Sequence, residues 1–124
     1  MTDIDIALRF TNKFRSSVDR NISFDLTFAE YKKLITAKTC YYTKVKLTQS
    51  SGKPNTLTID RIDASKGYVK GNCVTCCLDI NAKKKDLTIA EIEMLYNSIQ
   101  KLKSPKIIKL NTNENNRSTS KTSN

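Results

Sequence analysis

Between residues 3 and 18 the chain reads DIDIALRFTNKFRSSV, which places Ile6, Phe10 and Phe14 four apart with Ala7 and Val18 alongside. That stripe predicts an amphipathic helix with Thr2 as its cap. A second helix is predicted from TFAEYKKLITAK, where Thr27 and Glu30 have capping-box spacing and Phe28, Tyr31, Leu34 and Ile35 share one face. The period then changes. Tyr42, Val45 and Leu47 stand among polar residues, SSGKPN is dense in turn formers, and TLTID alternates, so the segment reads as two short strands or a loop and a strand. GYVKGNCVTCC, rich in strand formers and bounded by Gly67 and Gly71, predicts a strand antiparallel to TLTID. A short polar helix, CLDINAKKKD, follows and carries Asn81 in its first turns.

A longer helix is marked by a capping-box pair, Thr88 and Glu91, and by the apolar series Ile89, Ile92, Leu95, Tyr96, Ile99 and Leu102. Its apolar face is expected to pack on the earlier helices. From Ser104 onward the chain is Asn, Ser, Thr and Lys without apolar periodicity beyond Leu110, the composition of a disordered, weakly basic tail. The expected organisation is a helical region over 1–39, a mixed core over 40–87, a helix over 88–103 and a tail over 104–124.

Charge narrows the class of partner. Among 124 residues, 22 Lys and Arg against 12 Asp and Glu give a net charge of +10, which favours a polyanionic partner such as nucleic acid or an anionic membrane. No apolar run approaches the length of a membrane span, and MTDIDIALRF opens acidic rather than as a secretory leader, so a cytoplasmic location is expected. There the four cysteines, Cys40, Cys73, Cys76 and Cys77, are expected to be reduced thiols or metal ligands.

The chemistry concentrates in TIDRIDASKGYVKGN, residues 58–72, read together with the helix that follows. Asp60 and Arg61 end a strand, a loop runs to Asn72, and Asn81 lies on a helix nine residues further on. A strand-end carboxylate and a helix-borne amide oxygen are hard oxygen ligands, and two of them leave most of a Mg²⁺ octahedron open to waters and a phosphate. Phosphodiester hydrolysis needs that kind of site, because such an ion polarises the scissile phosphate and stabilises the leaving oxygen. Asp63 reads as the turn-capping residue of DASKG before it reads as a ligand, and Tyr68 as a packing aromatic whose hydroxyl could also face a substrate.

Over residues 40–87 these motifs resemble the HNH, or ββα-metal, endonucleases, in particular a bacteriophage group with DRID where better-known members have Asp-His. The resemblance implies an α+β protein: a ββα-metal core of two antiparallel strands and a helix, with flanking N-terminal helices and a long C-terminal helix. It implies a divalent-metal-dependent DNA endonuclease using Mg²⁺ or Mn²⁺, host-cytoplasmic if phage-encoded, with RNA a further candidate substrate and a host protein a further candidate partner. Nicking is expected of a monomer and double-strand cleavage of a dimer. Asp60 and Asn81 correspond to the metal ligands, Arg61 to the position of the general-base histidine, and Asn72 to the asparagine that braces the loop. Lys84 corresponds to a lysine expected at phosphate; with Lys83 and Lys85 it is either a DNA contact or a solvated helix face.

Two departures qualify the resemblance. The sequence has no histidine. An arginine guanidinium keeps its proton near neutral pH, so Arg61 is expected to grip phosphate rather than accept a proton from water. Many relatives also hold a zinc between paired C-x2-C motifs, but the matching positions read Cys40-x2-Thr43 and Cys77-x2-Ile80. The four-thiolate site is not expected to close, although a rearranged site using Cys73 and Cys76 is conceivable if the backbone turns there. The alternative from another class is a degenerate HNH fold that binds DNA or a host protein without catalysis.

Overall fold

The computed structural model describes residues 1–103. The expected tail, 104–124, lies outside the described residues. The chain divides into two compact units, one over Met1–Leu87 and one from Thr88 onward, whose described part is a helix. The predicted helical region and the predicted mixed core thus fall in the same unit.

The first helix, α1, spans Asp3–Asp19 and begins at a reciprocal capping box, with the Thr2 side chain on the Asp5 amide and the Asp5 carboxylate on the Thr2 amide. Such boxes satisfy donors that a helix start otherwise leaves unpaired. A two-residue strand, β1 (Phe24–Asp25), follows, and then α2 (Phe28–Ile35), which opens on the Thr27–Glu30 capping box as predicted. Phe10 is the hub where these elements meet. Its ring packs edge-on against Phe24, Phe28 and Tyr31, with centroids at 5.5, 5.9 and 5.4 Å, the geometry aromatic quadrupoles favour. Ile6, Tyr31 and Ile35 are buried around it.

The apolar stripe predicted for α1 is only partly the buried one. Ile6 is buried and Phe10 partly so, but Phe14 and Val18 are exposed, and Ser17 is fully buried instead. Its hydroxyl donates to the Lys13 carbonyl at 2.8 Å, so this polar group enters the core already satisfied.

The central hairpin pairs β2 (Leu57–Arg61) antiparallel with β4 (Cys73–Cys77) in the register Leu57↔Cys77 through Arg61↔Cys73. Alternation along β2 gives its two faces different neighbours. Leu57 and Ile59 pack on the cluster of Ile6, Tyr31 and Ile35, while Thr58 and Asp60 bond to side chains of α3 (Leu78–Lys84). The ββα arrangement is therefore strand, long loop, strand and helix, with the N-terminal helices on the opposite face. Residues 40–47 take the loop rather than the strand alternative; their pairing is limited to an isolated antiparallel bridge, Thr39↔Lys46.

The loop between the hairpin strands holds a short strand, β3 (Tyr68–Val69), that pairs in parallel with β1, Phe24 opposite Tyr68 and Asp25 opposite Val69. Gly67 makes this approach possible: a Cβ there would collide with the carbonyl and hydroxyl oxygens of Ser23. Gly71, at φ 87°, supplies the left-handed residue of the turn closed by the Asn72 amide on the Val69 carbonyl. In the second unit, α4 (Ile89–Lys103) starts at the predicted Thr88–Glu91 pair, with reciprocal bonds of 2.9 and 3.0 Å.

Candidate functional site

A cleft of about 680 Å³ runs along the whole of β2, from Leu57 to Arg61, between α1 on one side and Asn81 and Lys85 on the other. Asp60 and Arg61, adjacent on the strand, and Asn81, distant in sequence, all line it.

Asp60 is buried at 4% exposure, and its carboxylate is held from two directions. Oδ2 accepts a 2.7 Å hydrogen bond from the Tyr42 hydroxyl and lies 3.2 Å from the Lys84 ammonium. Oδ1 meets the same ammonium at 3.5 Å. A carboxylate offers about four lone-pair directions, so Oδ1 retains capacity for a further partner. Burial raises the Tyr42 phenol far above its ordinary pKa, and the hydrogen bond and negative charge of Asp60 add to this, so Tyr42 remains a donor to the carboxylate.

Asn81 donates from its amide nitrogen to Thr58 Oγ1 at 2.9 Å, which fixes the orientation of the side chain. Its amide oxygen has no hydrogen-bond donor among the described residues. One carboxylate oxygen and one amide oxygen are a donor set that fits Mg²⁺ or Mn²⁺, with the rest of the coordination sphere left to water and phosphate.

Arg61 is anchored without being used up. Nη1 donates to the carbonyls of Ala64 and Lys66 at 2.8 and 2.9 Å, and the guanidinium lies over the Tyr68 ring at 5.3 Å. Of its five N–H donors, those on Nε and Nη2 are unengaged among the described residues, leaving one edge of the guanidinium fork free.

Asn72 is buried and braces the loop in three places. Its Oδ1 accepts from the Asp63 amide at 2.9 Å, and Nδ2 donates to the Asp63 and Gly67 carbonyls at 3.1 and 2.9 Å. Asp63 closes a local turn, accepting from the Ser65 amide and hydroxyl at 2.9 and 2.6 Å. Tyr68 packs against Phe24 and accepts from Arg20 at 3.0 Å. Burial alone would raise its pKa, but the Lys13 charge and the Arg20 hydrogen bond outweigh that and lower it.

The three lysines do not act alike. Lys83 is exposed and pairs with Asp79 at 3.2 Å, and Lys85 is exposed on the cleft rim. Lys84, expected on phosphate or on a solvated face, instead turns inward: its side chain is 4% exposed, and its ammonium meets Asp60 and the carbonyls of Arg61 and Ile62, each carbonyl at 3.4 Å. Burying an ammonium requires such compensation, and the strand-end carboxylate with two adjacent carbonyls provides it.

The cysteines also regroup. Cys40, Cys76 and Cys77 are buried with their sulfur atoms all within 4.8 Å of one another, while Cys73 stands apart. The rearranged pair of Cys73 and Cys76 is thus replaced by a trio in which Cys76 and Cys77 converge where β4 gives way to α3. Burial opposes a Cys40 thiolate, but hydrogen bonds from Thr43, Cys77 and Tyr42 outweigh it and lower its pKa to about 6. Burial and the neighbouring Cys40 push Cys76 the other way. Three thiols form a soft-metal donor set distinct from the oxygen pair in the cleft.

Sequence reasoning missed Tyr42, read there as an apolar position, because its contact with Asp60 depends on the course of an irregular loop. It also missed the polar face of α1, where Arg9 and Lys13, with Arg20 at the C-cap, reach the cleft; charge alone does not say which way a helix turns its lysines and arginines.

The architecture is a mixed α+β, HNH-like fold. It is similar to the structure of the HNH restriction endonuclease PacI, described for an extraordinary mechanism of DNA perturbation, with a TM-score of 0.56 and 17% identity over 78% of each chain. In sequence, the chain is 35% identical over 74 residues to uncharacterized protein R423 of Acanthamoeba polyphaga mimivirus, covering 59% of this chain and 13% of that longer protein. No family model matches. No helix among the described residues is long and apolar enough to cross a membrane.

Proposed function

We propose that the protein is a divalent-metal-dependent DNA endonuclease of HNH type that nicks one strand per site. The observation that carries this reading is the convergence of Asp60 and Asn81 on one cleft beside Arg61, in a fold similar to that of an HNH restriction endonuclease. Asp60 and Asn81 would hold Mg²⁺ or Mn²⁺, which supplies polarisation of the scissile phosphate and a lowered pKa for bound water. The free edge of Arg61 grips the phosphate in two places and offsets the charge that builds on it during transfer. Asn72 keeps the loop in shape, so that Arg61 stays pinned by the Ala64 and Lys66 carbonyls. Tyr42 and Lys84 orient the Asp60 carboxylate, Lys85 on the rim meets the DNA backbone, and Lys83 lies on the outer face of α3. Without an imidazole, the water's proton leaves to solvent, and turnover is slower than with a positioned base by roughly 10²–10⁴.

A second reading is favoured by the Lys84–Asp60 pair, which already neutralises the carboxylate: a DNA-binding module without catalysis. Relaxation of supercoiled plasmid by purified protein with Mg²⁺ or Mn²⁺ separates the two. Nicking that disappears with EDTA and in Asp60→Ala and Asn81→Ala variants supports the enzyme; DNA binding without metal-dependent nicking establishes the module.

A further inference from the structure

Three positive side chains converge on one phenol. Lys13 lies over the Tyr68 ring at 4.7 Å, Arg61 lies over it at 5.3 Å, and Arg20 donates to the Tyr68 hydroxyl at 3.0 Å. None of the three pairs with a carboxylate among the described residues, and Asp60, the acidic group of the cleft, is engaged by Lys84 and Tyr42. Arg9 extends the same side of α1, its guanidinium on Gln49 at 3.1 Å. Like charges gathered without counter-charges repel one another, and an anion entering the cleft relieves that repulsion.

The spacing fits a linear anion rather than a point charge. Arg9, Asn12, Lys13 and Ser16 follow one another at helical intervals along the cleft-facing side of α1, and Arg20, the residue that caps its C-terminus, continues the line. The helix is also fixed in place relative to Asp60 and Arg61. The β1–β3 ladder and the Tyr68 amide on the Ser23 carbonyl at 2.9 Å tie the chain just after α1 to the loop just after Arg61.

We propose that this polar face of α1 is a second wall of the DNA site, holding the backbone phosphates that flank the one at Arg61. The inference rests on the nuclease or DNA-binding reading of the cleft and adds to it the element that supplies affinity: a helix outside the ββα core. Each wall cation that meets a phosphate releases counter-ions, so the wall sets the salt dependence of binding.

The test is binding of the full chain to a short fluorescein-labelled DNA duplex in EDTA, followed by anisotropy across a salt series. Arg9→Ala/Lys13→Ala is expected to weaken binding at least about fivefold and to flatten the slope of log affinity against log salt by about 1.8, two phosphate contacts' worth. Ser16→Glu, an exposed helical position that accepts glutamate, is expected to weaken binding without any change in circular dichroism. Lys33→Ala/Lys38→Ala, on exposed lysines outside the cleft, is expected to leave affinity and slope as in the parent. Unchanged affinity and slope in both wall variants would overturn the proposal, as would tighter binding of an RNA duplex with the same dependence on the wall. The two readings fail separately: wall-dependent binding without plasmid nicking removes the nuclease and keeps the wall, whereas nicking with wall-independent binding does the reverse.

Discussion

The Tyr42 hydroxyl donates a 2.7 Å hydrogen bond to the same Asp60 oxygen that the Lys84 ammonium approaches at 3.2 Å. One oxygen of the carboxylate is thus occupied by protein, and the other has room for a ligand.

Tyr42→Phe removes that donor while keeping the ring. On the proposed nuclease reading Asp60 holds the metal, and groups that orient such a carboxylate typically contribute 10–100-fold in affinity, so the divalent-ion concentration needed for half-maximal nicking is expected to rise by about that factor. Metal titration of plasmid relaxation measures it, with thermal denaturation as a check that the fold survives. A midpoint equal to the parent's would mean that the hydrogen bond does not orient a ligand.

Lys84→Ala leaves Asp60 as an unpaired buried carboxylate. Breaking one side of such a pair costs about 3–5 kcal/mol, whereas replacing both members with neutral groups is far less damaging. Urea denaturation should therefore show Lys84→Ala much less stable than the parent, and Asp60→Asn/Lys84→Met less affected than Lys84→Ala. A cost below about 1 kcal/mol for the single variant would show that the ammonium is not buried in solution.

Gly67→Ala forces a methyl group into the Ser23 backbone and hydroxyl. Overpacking of this kind costs about 1–3 kcal/mol, and here it separates β1 from β3. The expected signature is local: faster amide exchange at Tyr68, whose N–H bonds the Ser23 carbonyl, than at the amides of the β2–β4 hairpin. Equal acceleration at both would mean the damage is global.

Acid should open the start of α2. Glu30 has its pKa lowered from the ordinary 4.5, first by the Thr27 backbone hydrogen bond, which outweighs an opposing burial effect, and to a lesser extent by the Thr27 side chain. A lowered carboxylate pKa in the folded state contributes stability that is present above the unfolded value and lost as pH falls through the folded one. The melting temperature of Glu30→Gln should therefore lie below the parent's at neutral pH, and the gap should close as pH drops below about 4. A gap that stays constant with pH would place the effect elsewhere.

Much of this architecture was legible because the elements announce themselves locally. Thr27 with Glu30 and Thr88 with Glu91 mark helix starts chemically, and the alternation of TLTID marks a strand. The grouping of Asp60, Arg61 and Asn81 in one cleft was legible through the spacing of a motif. What stayed hidden depends on long-range packing. Two-residue strands such as β1 and β3 are too short to show a period, and Ser17 looks like a surface residue until its hydroxyl finds the Lys13 carbonyl. Lys84 was misread for a related reason: a lysine in a run of three suggests solvent, and only the position of α3 against the end of β2 turns the middle one inward.

The ladder between Phe24–Asp25 and Tyr68–Val69 has a practical consequence. Because the loop that pins Arg61 closes against the segment after α1, the ββα portion is not a detachable cassette. A fragment beginning near Cys40 would lose the partner strand of its own loop and the rings of Phe10 and Phe24. Grafting this ββα motif into another scaffold would therefore mean carrying the N-terminal helices along with it.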